Sequence, residues 1–189
     1  IMDLGVDGID LEPNEGGENR PELLSLLADQ GKDLIIGVGF LFADAMTEVA
    51  TANPDISFGI IDSAVDPTNV SGMVFAEEQG SFLVGVAAGL KTTTKKIGYI
   101  GGVEFPLIQK FEAGFAAGVA ASCADCTVDV KYVTYPPDFD GFNQPSKAKE
   151  IALAQYESGA DIIYHAAGGA GNGLFEAAKE VSGKVSINN

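Results

Sequence analysis

Tryptophan is absent from these 189 residues, histidine occurs once and cysteine twice. A lone His165 cannot build a histidine metal cluster, and Cys123 with Cys126 gives too few ligands for zinc without a second pair. Thioredoxin-like chemistry needs such a pair at the opening of a helix. Here it follows a helical pattern and precedes a strand-like run, so the expectation is a local loop, bridged if the compartment is oxidising. Basic residues are also scarce, 11 Lys and Arg against 27 Asp and Glu, for a net charge of −16. That surface repels phosphate backbones and anionic lipid, which argues against nucleic acid or a direct membrane partner; its simplest role is solubility. No apolar run is long enough to cross a bilayer. The opening Ile1-Met2-Asp3 shows no basic region followed by an apolar stretch, so no signal peptide is visible.

What is present supports a folded core: hydrophobic residues make up 46% and charged residues 20%. Short, continuously apolar runs at 33–38, 56–61, 96–100, 128–135 and 161–166 suit strands of a parallel sheet buried on both faces. Helical patterns at 21–30, 43–52, 77–90, 107–121, 146–158 and 174–181 alternate with them. Strand alternating with helix specifies a doubly wound α/β architecture. A polar, basic stretch at Lys91–Lys96 divides the chain into an expected first lobe, 1–92, and a second, 93–189. A simple exposed loop in one continuous sheet is the competing reading of that stretch. The residues up to Leu11 read as a helix tail and then a strand, and Lys184–Asn189 as the start of another. Both ends therefore look cut, leaving edges that intact sheets cover.

In open α/β sheets ligands sit beyond the carboxyl ends of the strands. Four such loops stand out. Gly37-Val38-Gly39-Phe40 lacks the third glycine of a dinucleotide fingerprint, since position 42 is Phe. Phe40 projects there into or beside a cleft, or packs into the core. Asp62 ends an apolar strand, where desolvation demands partners such as ligand hydroxyls; a helix cap is the alternative. Tyr135–Pro145 is an aromatic, proline-stiffened loop in which Phe142 is placed to stack on a flat ring, with Phe139 as the other choice. Ala166–Gly173 sets four glycines, Gly168, Gly169, Gly171 and Gly173, between strand and helix, giving close backbone approach and free N–H groups. No Lys follows, so it is not a phosphate loop. His165 lacks Ser and Asp partners and reads as a satisfied strand-end histidine. With no acid–base pair, nucleophile elbow or metal cluster, the pattern is one of binding, without catalysis, cofactor or metal.

These residues resemble the basic membrane protein (BMP) family of substrate-binding lipoproteins, the PnrA-like purine nucleoside receptors among them. The likeness rests on Asp33–Phe40, on Asn69–Ser71 through Phe82–Gly85, on Ile97–Gly102 through Lys110–Phe115, and on Asp161–Gly169, in that order and spacing. It implies a type I periplasmic-binding fold in which two lobes close on a nucleoside and present it to an ABC transporter permease. It also implies a periplasmic or cell-surface location through a lipid anchor. Carried over by position, Asp62 hydrogen-bonds the ligand, Phe142 stacks on its ring, Gly168 and Gly169 form the glycine loop, and Phe40 lies near the cleft mouth. The family's N-terminal Asp and Ser-Phe-Asn segment, and its later Gly-Val-Asp and Lys segments, have no counterpart in these residues. A two-lobed sensor or regulator, or a Rossmann-like nucleoside- or sugar-processing enzyme, is the alternative.

Overall fold

Thirteen regular elements alternate along the chain in a computed structural model that describes residues 5, 7–14, 17–181 and 183–188. They fall into two compact units, 1–75 and 76–189. Residues 7–14 carry no helix or strand, so the strand expected near Leu11 does not form; Ile1–Leu4 of that expectation lie outside the described residues.

The first unit contains α1 (Arg20–Asp29), β1 (Leu34–Val38), α2 (Ala43–Ala52), β2 (Ser57–Ile61) and β3 (Val70–Met73). Its three parallel strands run in the order β1-β2-β3. α1 starts with Pro21 in its first turn, where a missing N–H costs nothing, and Gly31 follows it at φ 67°. Leu24, Met46 and Val49 of the helices pack with Ile35, Phe58 and Ile60 of the sheet. Among the described residues only one face is covered in this way. β1 alternates exposed and buried, leaving Leu34, Ile36 and Val38 open. The apolar run of β1 therefore does not signal burial on both faces, as the sequence reading expects.

The second unit contains α3 (Glu77–Lys91), β4 (Lys96–Val103), α4 (Pro106–Ser122), β5 (Thr127–Thr134), α5 (Pro145–Glu157), β6 (Ile162–Ala166), α6 (Gly171–Glu180) and β7 (Val185–Asn188). Four parallel strands run β5-β4-β6-β7. The sheet is clad on both sides. Ala88, Phe115 and Val119 of α3 and α4 pack with Tyr99 and Tyr164 on one face. Ala148, Tyr156 and Leu174 of α5 and α6 pack with Ile100 and Ile163 on the other. Two-sided cladding buries every residue of β6 and all but the first of β4. This is the doubly wound arrangement expected from the alternation of elements.

α3 and α4 touch backbone to backbone. A Cβ on Gly118 would lie 2.0 Å from Phe82 O, and one on Gly85 2.1 Å from Phe115 O. Any side chain there forces the helices apart. That packing places α3 in the second unit, so the division falls before Ala76 and not at the expected 92/93 boundary. Thr92, Thr93 and Thr94 turn the chain from α3 into β4 and bind the Asp161 carboxylate. Thr92 Oγ1 donates at 2.6 Å, Thr93 N at 2.6 Å, Thr93 Oγ1 at 2.9 Å and Thr94 N at 3.2 Å. Partial burial pushes that carboxyl up, but these four donors outweigh it and hold the pKa down at about 2. The polar stretch is thus a capped turn within one unit.

Candidate functional site

The carboxyl ends of β4, β5 and β6 bring three expected elements together. The loop after β5 is fastened first: Thr134 Oγ1 donates to Asp138 O at 2.7 Å, and Asp140 N to Asp138 Oδ1 at 2.9 Å. A single 3-10 turn, Asp140–Phe142, then feeds α5, with Gln144 Nε2 donating to Asp140 Oδ2 at 3.0 Å. The turn lies directly on β4. A Cβ on Gly141 would sit 2.1 Å from Gly102 O, and one on Gly102 would sit 2.4 Å from Phe142 Cδ1. Glycine at both positions is what lets the half-buried Phe142 ring rest against the strand backbone.

Beyond β6 a second 3-10 turn, Gly168–Ala170, opens α6. Gly168 adopts φ 53°, a left-handed conformation that favours glycine. A Cβ at Gly168 would lie 3.6 Å from Phe142 Cδ1, and one at Gly169 3.3 Å from Phe142 O. Both glycines are exposed. The second unit therefore presents an aromatic ring beside an open backbone loop at the start of a helix. A ring supplies a stacking surface, and the loop lets polar ligand groups approach the main chain closely. Glu104, Asp138 and Asp140 stand exposed on this rim, an electrostatic setting that disfavours a phosphorylated ligand.

Asp62 and Phe40 belong to the first unit. Asp62 follows β2 at φ 65° and its N–H donates to Met73 O at 2.9 Å. No helix begins after it, which removes the capping alternative. Phe40 opens a 3-10 turn, Phe40–Phe42, after Gly39 at φ 103°. It is half-buried, and Phe42 is the ring of that turn that packs against the first unit's core.

His165 departs from its expected role as a satisfied histidine. It is 1% exposed, and neither ring nitrogen has a hydrogen-bond partner. The ring lies against Gly171, where a Cβ would meet Cε1 at 2.1 Å, and edge-on to Phe175 at 5.3 Å. Burial alone pushes its pKa down to about 4, so it is neutral at pH 7. Cys123 and Cys126 are joined, closing the turn between α4 and β5. Sequence reasoning missed Gly102 and Gly141; two adjacent glycines, Gly101 and Gly102, inside an apolar strand were the available signal of close backbone approach.

Two α/β units, each built on its own parallel sheet, belong to the type I periplasmic-binding fold class. The fold comparison agrees. A solute-binding protein of an ABC transporter system from Aeropyrum pernix superposes with a TM-score of 0.84 at 26% identity, covering 99% of this chain and 53% of its own. The transcription regulator CcpA of Lactococcus lactis shares the fold at a TM-score of 0.74 and 14% identity, covering 100% of this chain and 68% of its own. The chain belongs to the Bmp family, described as ABC transporter substrate-binding protein PnrA-like, whose profile matches residues 4–187. A Listeria monocytogenes protein named CD4+ T-cell-stimulating antigen is 39% identical over 184 residues, 97% of this chain and 50% of its own length. The ABC transporter nucleoside-binding protein BmpA of Lactococcus lactis is 40% identical over 154 residues, 81% of this chain and 42% of its own length. The chain spans about half the length of these curated relatives.

Proposed function

We propose that the protein is the extracytoplasmic solute-binding component of an ABC transporter, and that its ligand is a purine nucleoside. The observation that carries this reading is the Phe142 ring lying on Gly102 beside the exposed Gly168 and Gly169. Stacking on a flat base and hydrogen bonding to a sugar need those two surfaces side by side. The name of the Lactococcus relative supports the ligand class. The acidic rim and net charge of −16 favour a nucleoside over a nucleotide. Asp62 and Phe40 are proposed as further contributors from the first unit, with closure of two lobes as the mode of capture. The Cys123–Cys126 bridge fits an oxidising location, and a permease is the proposed partner, with the lipid anchor common to such receptors.

Calorimetry with inosine on the full-length protein tests this reading. Replacing Phe142 by Ala is expected to weaken binding by about 5- to 150-fold, the range for loss of one stacked base. Unchanged affinity removes Phe142 from the site.

A further inference from the structure

Thr134, the last residue of β5, is 3% exposed. Its hydroxyl has two neighbours in the loop that follows. Oγ1 donates to Asp138 O at 2.7 Å, and a Cβ on Gly141 would run into the same oxygen atom. One hydroxyl thus touches the loop at its middle and again at the residue before Phe142. Valine has the same branched shape and suits a buried strand position better, so packing alone does not explain a hydroxyl here.

The position of Thr134 is itself fixed by the sheet. It lies opposite Val103 of β4, and its carbonyl accepts from Glu104 N at 3.3 Å. Gly141 is hemmed between that hydroxyl and Gly102 O, and Gly102 lies under the Phe142 ring. From Asp138 a chain of hydrogen bonds runs on toward α5. Asp138 N donates to Tyr135 O at 3.0 Å, Asp140 N to Asp138 Oδ1 at 2.9 Å and Asn143 N to Asp140 O at 2.8 Å. Residues 135–138 and 140 are exposed, so water competes for these bonds. The bond from Thr134 starts at a buried side chain and is the better shielded one.

We infer that Thr134 is a positioning residue for solute binding: its hydroxyl, through Asp138 O and Gly141, sets the turn that seats the Phe142 ring on Gly102. This rests on the nucleoside reading above, with Phe142 as the stacking surface. Without the hydroxyl the loop populates arrangements in which the ring leaves its seat, and apparent affinity falls in proportion to the molecules that keep it. The net contribution of one such hydrogen bond corresponds to a factor of about three to ten. Thr134 touches no ligand in this scheme, so its effect on binding disappears when the Phe142 ring is absent.

The test is calorimetric titration of the full-length protein with inosine, in wild type, Thr134→Val, Thr134→Ser, Phe142→Ala and the Thr134→Val, Phe142→Ala double variant, with thermal melting to verify folding. Thr134→Val is expected to weaken inosine by about three- to tenfold. Thr134→Ser keeps the hydroxyl and is expected to weaken it by less than about twofold. In the Phe142→Ala background, Thr134→Val is expected to change affinity by less than about twofold, whereas a general loosening of the unit would weaken binding in both backgrounds. Thr134→Ala carries the test if Thr134→Val fails to fold. If wild type binds inosine and Thr134→Val binds it equally well, or loses the same factor with and without Phe142, this inference is overturned while the nucleoside reading stands. If wild type binds no inosine, that reading falls and this inference falls with it.

Discussion

β1 and β6 are both five-residue apolar strands, yet one is half open and the other wholly buried. Leu34-Ile35-Ile36-Gly37-Val38 and Ile162-Ile163-Tyr164-His165-Ala166 read alike, but β1 carries helices on one face and β6 on two. Burial is thus set by what the chain folds onto a strand, not by the strand's own composition. The open face of the first unit carries Leu34, Ile36, Val38 and Met73, and the second unit spends that same kind of surface on α3 and α4. The consequence is unequal sensitivity. Changes in the second unit's core should cost much, and those on the open face of the first should cost little.

The largest expected effect lies at Phe115, which is 0% exposed and packs at 4.8 Å from the Tyr164 ring and 6.2 Å from Tyr99. Phe115→Ala is expected to lower stability by about 3–5 kcal/mol in urea denaturation, from lost transfer energy and the cavity left behind. A loss under about 1 kcal/mol would show that the two-sided cladding contributes little.

His165 sharpens the comparison through pH. Its folded pKa of about 4 lies below the value of about 6.5 for a free histidine. Below pH 6.5 the unfolded chain therefore takes up a proton that the folded chain refuses, and stability falls as pH falls until the folded pKa is reached. Between pH 6.5 and 5 the loss from this group is about 2 kcal/mol. A His165→Phe variant should lose this part of the pH dependence, leaving only what the carboxylates contribute to both proteins. Parallel pH profiles for the two would mean that the ring is protonated or hydrated in the folded state.

The smallest effect is expected on the open face. Ile36→Thr keeps a β-branched residue at a position that is 49% exposed, so its cost should be within about 0.5 kcal/mol. A loss comparable to that at Phe115 would mean that this face is covered in solution.

The alternation of elements was legible because strand and helix periods differ, and β4, β6 and their flanking helices lie where the apolar runs place them. β3 was not, since Ser71 and Gly72 interrupt its apolar character and it borrows its ladder from β2. The assignment of α3 to a unit was also hidden. Its glycines look like helix-weakening residues in sequence, and only the contact with α4 shows why they are there. At the candidate site Gly168 and Gly169 could be named from loop chemistry, whereas the choice of Phe142 over Phe139 in its loop came from the family resemblance. Their meeting depends on Gly102, a strand residue whose importance lies in the side chain it lacks.

The most direct trial of the central claim is a crystal structure of the full-length protein soaked with inosine. The base is expected to lie parallel to the Phe142 ring at about 3.5–4 Å, with polar groups of the nucleoside reaching the loop at Gly168 and Gly169. Inosine seated anywhere else, with the Phe142 ring bare, would contradict the account.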